Sequence, residues 1–337
     1  MVHLRIVAPE RCAQDVLELL EGSESVLNVV YLEGAARKPV GDVILCDVAR
    51  EDASVILSDL RELDVPKDGS IALEVIDTSI SDVARAAEKA AAGLPSDAVV
   101  WEEVEARTSE QTELSFSFLA FMVLATLIAA VGLLLDQPIL IIGAMIVGPE
   151  FGPIAGACVA AVELRRDLAR RSATALALGF PVGIVAALVG TLLFRATGVA
   201  PDDFGDMPRP LTDFVSNPDL FSVVVAYLAG TAGVLSLTSA KSGALIGVLV
   251  SVTTIPAAAG VGVGAAYADW GEFGGALGQL ALNLAIIFVA GTVTLYLQRR
   301  LYISRRRKHL DDPARKAAGL PAERTRRRQA PARADRR

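Results

Sequence analysis

The sequence predicts an α-helical polytopic membrane protein that carries a small α+β domain at its N-terminal end. Three observations lead to this fold class. Apolar residues make up 53% of the 337 residues and the mean hydropathy is +0.47, which are high values for a soluble protein. Apolar runs of about 20 residues, long enough to cross a bilayer, recur between residues 114 and 297. The residues before them alternate β-branched runs with amphipathic helical ones.

Residues 1–78 are predicted to form one small domain with the element order βαββαβ. The two helical stretches are "RCAQDVLELLEG" and "EDASVILSDLREL", and the strands are "VHLRIV", "SVLNVVYLEG", "GDVILCDVA" and "SIALEVID". This order is typical of a ferredoxin-like sandwich, with two helices on one face of an antiparallel sheet. Such a domain suits a cytoplasmic assembly module or a ligand sensor, and the absence of a glycine-rich phosphate loop favours the first.

Residues 79–113 predict a helical linker that is broken near "GLPSD", and residues 114–298 predict a membrane domain of six spans. The loops after the second, fourth and sixth spans are basic, while those after the third and fifth are acidic. The positive-inside rule therefore predicts a multi-pass protein of the cytoplasmic (inner) membrane with both termini in the cytoplasm. The predicted spans are residues 114–135, 138–162, 173–194, 220–237, 243–266 and 276–297.

Residues 299–337 form a tail that is rich in arginine, although the whole chain has a net charge of −7. The residue types of the tail follow no helical period beyond about Asp311, so we predict that it is largely disordered. So many arginines could also bind nucleic acid. Because the tail follows a membrane span, we expect it to lie near anionic lipid instead and predict no nucleic-acid partner.

The three cysteines, Cys12, Cys46 and Cys158, lie far apart, and the chain has only two histidines. This spacing predicts neither a disulfide framework nor a zinc site. The spans also hold no HExxH motif, no GxSxG motif and no paired aspartates. We therefore expect no metal, no cofactor and no enzymatic activity, and an intramembrane enzyme is the weakest hypothesis.

The second predicted span contains "GAMIVGPEFGPIAG", an apolar stretch interrupted by glycines, two prolines and a carboxylate. Proline removes a backbone hydrogen bond, so Pro149 and Pro153 should unwind about a turn of helix around Glu150. A carboxylate exposed to lipid is costly, which predicts that Glu150 faces the bundle interior and is protonated, ion-paired or cation-bound. The alternative is a packing role, in which Glu150 only hydrogen-bonds to a neighbouring helix.

The fifth predicted span repeats part of this pattern. In both spans an Ile-Gly pair, at Gly143 and at Gly247, is followed thirteen residues later by a second glycine, with a proline shortly before it. Matching interrupted segments in two three-span halves predict inverted repeats whose broken helices meet at a central site. Chance similarity between two Gly/Ala-rich helices is the alternative. The predicted substrate- or ion-binding residues are Gly148, Pro149, Glu150, Pro153, Ser251, Thr253, Thr254, Pro256 and Asn283, with Gln279 beside Asn283.

The stretches "IIGAMIVGPEFGPIAG" and "LAGTAGVLSLTSAKSGALIGVLVSVTTIPAAAGVGVG" resemble a bacterial membrane family described as domain of unknown function 389. The resemblance covers roughly residues 114–297 and implies a multi-span protein with a small soluble N-terminal domain. Members commonly have an apolar residue at the position of Glu150, and their second motif often holds a double proline where this chain has Ile255 and Pro256. The resemblance implies no substrate.

Two functional hypotheses follow. The first is a transporter or channel-like protein for a small solute or ion, built from two inverted halves and assembled as a homo-oligomer in the lipid bilayer. The second is a membrane-anchored sensor or assembly scaffold that acts through its N-terminal domain. A broken helix with a buried carboxylate favours the first hypothesis, because an anchor requires neither.

Overall fold

The computed structural model describes residues 1–76, 81–91, 98–201, 204, 209–239, 253–309 and 312–320. The chain divides into two units, which are described separately. Unit 1 consists of Met1–Val100 together with Arg300–Arg337, and unit 2 consists of Trp101–Arg299. The sequence-based boundary at residue 78 is therefore too early, since Val100 is buried in the core of unit 1.

Unit 1 contains a four-stranded antiparallel sheet in the order β2-β3-β1-β4. Alternation along β1 turns Val2, Leu4 and Ile6 to one face, where they are buried with residues of α1 and α2. This is the predicted α+β arrangement with one added short helix, α3. The elements are β1 (Val2–Ala8), α1 (Glu10–Gly22), β2 (Val26–Arg37), β3 (Val40–Val48), α2 (Arg50–Glu62), α3 (Val65–Asp68), β4 (Ser70–Val75) and α4 (Asp82–Ala90).

The C-terminal segment differs from the predicted disordered tail. The helix of the last span, α12 (Trp270–His309), continues past residue 299, and a short helix, α13 (Pro313–Ala317), follows it. Ala318 and Leu320 are buried in the core of unit 1, and Gly319, with φ +71°, ends the helix. The prediction was wrong for residues 312–320 because these few apolar side chains are covered by unit 1 itself. Residues 310–311 and 321–337 lie outside the described residues.

Unit 2 holds the apolar helices. Among the described residues, four helices are long and apolar enough to cross a membrane, and a bent pair of helices gives a fifth span. The described part of the chain is therefore that of a helical, membrane-embedded protein. The helices are α5 (Trp101–Gln111), α6 (Phe116–Leu134), α7 (Pro138–Val147), α8 (Phe151–Glu163), α9 (Arg166–Ala196), α10 (Leu220–Thr238), α11 (Thr254–Tyr267) and most of α12.

Three differences from the predicted spans concern lengths and breaks. The predicted linker break lies at residues 93–97, outside the described residues, and the helix after it, α5, belongs to unit 2. The second predicted span is two helices, α7 and α8, bent by 53°. Of the fifth predicted span, 243–266, the described part is the 14-residue helix α11, and residues 243–252 lie outside the described residues. Six spans therefore remain a prediction.

The helix bounds in unit 2 recur at a fixed interval. The helices α6 and α10 both have 19 residues and begin 104 positions apart, at Phe116 and Leu220. The starts of α9 and α12, Arg166 and Trp270, are also 104 positions apart. Shorter features follow the same interval. Ser115 and Asp219 cap α6 and α10 with their side chains, and the two left-handed residues that end α8 and α11 are Leu164 and Ala268.

Candidate functional site

The site begins at the break between α7 and α8. Helix α7 ends at Val147 and α8 begins at Phe151, so Gly148, Pro149 and Glu150 form the non-helical link. Glu150 is 2% exposed. Proline at this point cannot continue the backbone hydrogen bonds of α7, which is why the apolar segment bends where the sequence places its carboxylate.

The carboxylate of Glu150 is held by the first residue of α11. The hydroxyl of Thr254, at the start of α11, donates a hydrogen bond of 2.8 Å to Glu150 Oε1. The second carboxylate oxygen, Oε2, is buried and has no hydrogen-bond partner among the described residues. Since a buried polar atom without a partner is costly, Oε2 marks a place where a proton or a cation would be stabilised.

Gly148 makes room for this arrangement. A Cβ atom at residue 148 would collide with Glu150 Oε2 and would lie 2.6 Å from Ile255 Cγ1 of α11. Any side chain here would therefore displace the carboxylate or push α11 away from the break. The glycine is required by this close approach rather than by its backbone angles, since its φ of −63° suits other residues.

A chain of polar side chains lies next to the carboxylate. Asn283 of α12 donates to the hydroxyl of Thr253 at 2.7 Å, and Gln279 donates to Asn283 Oδ1 at 3.4 Å. Both amides are 2% exposed, and Gln279 Oε1 has no partner among the described residues. Thr253, Gln279 and Asn283 also line a cavity of about 250 Å³. The unsatisfied buried atoms that this site presents, Glu150 Oε2 and Gln279 Oε1, are hydrogen-bond acceptors.

The remaining predicted residues have smaller roles. Pro153 and Pro256 each occupy the third position of a helix, α8 and α11 respectively. An amide at that position has no intrahelical acceptor, so these prolines are compatible with the first helical turn and do not unwind it. The unwinding predicted at Pro153 is therefore confined to residues 148–150. Ser251 lies outside the described residues.

Helix α8 packs on α12, and α11 packs on α9, through contacts that correspond at the interval of 104 positions. A Cβ atom at Gly291 of α12 would lie 2.9 Å from Cys158 Sγ of α8, and one at Gly262 of α11 would lie 2.7 Å from Cβ of Ala187 of α9. The two pairs interchange when residues 104 positions apart are exchanged. At the outer ends of the helices, Glu163 pairs with Arg299, and the Arg195 guanidinium lies 4.3 Å from the ring centroid of Tyr267, again an exchanged pair.

Sequence reasoning missed a second polar cluster in unit 2. Arg209 Nη2 binds Glu272 Oε2 at 3.0 Å, and the Ser216 hydroxyl donates to the same oxygen at 2.9 Å. The Arg209 guanidinium also lies 3.9 Å from the ring centroid of Phe204. The available signal was a lone arginine in an acidic loop. These contacts connect Arg209 and Ser216 to Glu272 at the start of α12.

Charged groups near Glu150 are few. Among the described residues, no lysine, arginine or histidine forms an ion pair with it, and no group of three metal-ligating side chains occurs. Glu150 also lies at the start of α8, where the helix dipole favours negative charge. An ionised Glu150 would therefore rely on Thr254 and on the starts of helices.

Comparisons with known proteins place the site within a recognised domain. Residues 145–289 match the family model described as "Domain of unknown function (DUF389)". An uncharacterized protein of Methanocaldococcus jannaschii is 24% identical over 197 residues, which are 57% of this chain and 58% of the relative. The match thus spans little more than half of the relative's length, and its archaeal source does not support the expected restriction to bacteria. A comparison with solved structures gives no significant match to this chain.

Proposed function

We propose, starting from the membership of residues 145–289 in the DUF389 family, that the protein is a transporter or channel-like protein for a small solute or ion. Its site lies at Glu150, where the break between α7 and α8 meets the start of α11. The observation that carries the proposal is the unpartnered, buried oxygen Oε2 of Glu150. A carboxylate in this position is expensive in a membrane protein unless it serves a function.

The chemistry of the site favours a cation, with the proton included. The unsatisfied buried atoms at the site are acceptor oxygens, one of which carries a formal charge when Glu150 is ionised. An anion would face these oxygens without a compensating side-chain cation among the described residues. A proton or a small monovalent cation at Oε2 would satisfy the carboxylate and neutralise it.

Two inverted three-span halves are the architecture that we propose for this function. The recurrence of helix starts at 104 positions and the exchanged pairs Cys158–Gly291 and Gly262–Ala187 support it. Reciprocal contacts of this kind are expected around a two-fold axis. An odd number of spans in each half would make the halves antiparallel across the membrane, with the site between them.

Flux measurements in proteoliposomes test the proposal. Vesicles loaded with a pH-sensitive dye or a sodium-sensitive dye are given an inside-negative potassium diffusion potential, and proton or sodium entry is recorded. Glu150→Gln keeps the shape and the hydrogen bond from Thr254 but removes the charge, so we expect the flux to fall at least tenfold. The matched control is Glu21→Gln, at an exposed glutamate of α1 in unit 1, which should keep the flux.

Either of two results would overturn the proposal. One is wild-type protein that passes neither protons nor sodium ions above the rate of empty vesicles. The other is a Glu150→Gln variant whose flux equals that of the wild type.

The sensor hypothesis has one observation in its favour. Unit 1 contains a cavity of about 620 Å³ lined by polar side chains, among them Asp52, His309 and Asp312. Saturable binding of a small ligand to the full-length protein, without any flux, would favour this hypothesis.

We further propose that the protein acts as a homo-oligomer in the cytoplasmic membrane, with both termini in the cytoplasm and anionic lipid near its basic C-terminal segment. We propose that it catalyses no reaction.

A further inference from the structure

Two cavities in unit 2 lie at corresponding positions of the two halves. Cavity A, of about 250 Å³, lies between α10 and α12. Cavity B, of about 310 Å³, lies between α6 and the break at Glu150. Their lining residues correspond at the same interval of 104 positions. The corresponding pairs, cavity B first, are Glu110 and Phe214, Ser115 and Asp219, Phe118 and Ser222, Phe121 and Val225, and Pro149 and Thr253.

The linings of both cavities include residues close to Glu150 or Thr254 in the chain, but not Glu150 itself. Cavity B is lined by Gly148, Pro149 and Phe151, which flank the carboxylate along the chain. Cavity A is lined by Thr253, the neighbour of the Thr254 that holds Glu150 Oε1. The outer end of cavity A lies at the start of α10 and that of cavity B at the start of α6. The predicted topology places these two helix starts on opposite sides of the membrane.

The two cavities differ at one corresponding pair of side chains. In the first half, Phe118 is 6% exposed and packs on α9, so that a Cβ atom at Gly179 would lie only 2.9 Å from its ring. In the second half, Ser222 turns its hydroxyl back to Asp219, at 2.9 Å, and leaves the space in front of Asn283 open. Gly179 and Asn283 are themselves a corresponding pair. In the first half, an aromatic ring therefore occupies the position that corresponds to the amide-lined end of cavity A in the second half.

From this juxtaposition we infer that cavities A and B are alternative water-filled routes to Glu150 from opposite sides of the membrane, and that Phe118 closes route B. This inference rests on the proposed function and deepens it, since it assigns an entry and an exit to the site. In this structure the Phe118 ring packs against Gly179, whereas cavity A extends to the corresponding residue, Asn283. The inner end of cavity A is hydrophilic because Gln279 and Asn283 line it, and the corresponding residues of the first half are Ala175 and Gly179.

Water access to engineered cysteines tests the inference without any need for transport. In a background with Cys12, Cys46 and Cys158 replaced by alanine, the probes are Ala226→Cys, which lines cavity A, and Met122→Cys, its buried counterpart beneath Phe118. A charged, membrane-impermeant thiol reagent is added to either side of right-side-out or inside-out vesicles. We expect Ala226→Cys to react from the outer side only, and Met122→Cys to react from neither side.

Phe118 and Ser222 are then each replaced by the residue type of the other. Phe118→Ser should expose Met122→Cys to reagent from the inner side, with a rate increase of at least tenfold, and Ser222→Phe should protect Ala226→Cys to a similar extent. Phe118→Leu keeps an apolar plug and should leave Met122→Cys protected. Size-exclusion chromatography shows whether each variant is folded. Since the two exchanges act on separate helices, a folding failure of one leaves the other as a test.

The inference is overturned if Ala226→Cys does not react from either side, if Ser222→Phe leaves its rate unchanged, or if both routes open to the same side. The outcome is independent of the flux measurement. Normal labelling with no flux would contradict the proposed function alone, whereas flux through Glu150 with the wrong labelling pattern would contradict only the two routes.

Discussion

Thr254 donates a hydrogen bond to Glu150 across 104 positions of the chain, and this is also the interval that separates Phe116 from Leu220 at the starts of α6 and α10. The bond therefore joins two corresponding residues of the recurring helical pattern. A contact between corresponding residues lies on the axis that relates two halves, whereas other contacts occur in exchanged pairs. This places the candidate site at the centre of the proposed symmetry.

The Glu150–Thr254 bond should be measurable in stability. Thr254→Val keeps the shape of the side chain but leaves Glu150 Oε1 without its donor, so we expect a loss of about 1–3 kcal/mol in the free energy of unfolding. Glu150→Gln should cost less, because the amide oxygen still accepts from Thr254. Unfolding in mixed micelles, carried out as a double-mutant cycle of Thr254→Val with Glu150→Leu, which removes the acceptor, gives the coupling energy, and a coupling of zero would contradict the observed bond.

The exchanged contacts at Gly262 and Gly291 predict a matched pair of effects. A methyl group at residue 262 would meet backbone atoms of α9, Ile184 O at 2.7 Å and Leu188 N at 2.8 Å. At residue 291 it would meet side chains that can move, those of Cys158 and Val234. Both Gly→Ala variants should destabilise the protein, Gly262→Ala by more, at about 1–3 kcal/mol.

The control for this pair is Gly274→Ala, an exposed position in α12 where a methyl group meets no atom within 4 Å. It should be neutral or stabilising by up to about 1 kcal/mol, because alanine favours the helix. Thermal unfolding in detergent compares the three variants. Equal melting temperatures of Gly262→Ala and Gly274→Ala would contradict the close packing of α11 on α9.

The C-terminal segment should stabilise unit 1. Arg315 is buried and binds Asp59, which is 0% exposed, and its second nitrogen binds Glu62 at 3.0 Å. Removing one partner of a buried pair leaves an uncompensated charge, so Arg315→Met should cost about 3–5 kcal/mol, while Asp59→Leu with Arg315→Met should cost less. Lys316→Met, at the exposed neighbouring position, is the control.

The core contacts of unit 1 also predict the stability of a fragment of residues 1–78. The sequence alone suggests that this fragment folds independently, but it lacks Val100, Ala318 and Leu320 of the core of unit 1. We expect it to unfold at a lower temperature than a fragment of residues 1–100 to which residues 300–320 are joined by a flexible linker. Equal circular-dichroism melting curves would show that the C-terminal segment does not stabilise unit 1.

Two exposed positions test the topology. Leu164 follows α8 in a basic loop and is 87% exposed, and Val199 follows α9 and is 75% exposed. Under the predicted orientation, Val199→Cys reacts with an impermeant thiol reagent in intact cells, and Leu164→Cys reacts only after permeabilisation. Labelling of Leu164→Cys in intact cells would reject the orientation.

The sequence alone predicts that the apolar segment is interrupted around Glu150, and it offers Ser251, Thr253, Thr254 and Asn283 as candidate residues of the same site. Gly148, Pro149 and Pro153 act locally on the backbone, so their effect can be inferred from residue types alone. The second Gly/Pro segment was expected to lie near Glu150 because corresponding interrupted segments of two halves are expected to meet, but the sequence did not single out Thr254 as the donor. The break was placed too far toward Pro153, because a proline in the first turn of a helix requires no unwinding.

Other features could not be predicted because they depend on contacts between distant residues. The Ile-Gly pairs at Gly143 and Gly247 already show the interval of 104 positions, but α6 and α10 share few residues, so the helix bounds are needed to extend it to these helices. Arg315 is one of many arginines in the tail, and its sequence context gives no sign of its acidic partner, Asp59, in a separate helix. Phe118 and Ser222 become comparable only after that interval is known.

A high-resolution structure of the purified protein in a lipid nanodisc tests the central claim most directly. It should show α7 and α8 separated by a break at residues 148–150, Thr254 Oγ1 within hydrogen-bond distance of Glu150 Oε1, and density for water or an ion at Oε2. A continuous helix through Gly148 and Pro149, with the Glu150 side chain facing lipid or paired with a cationic side chain that fills the site, would contradict the account.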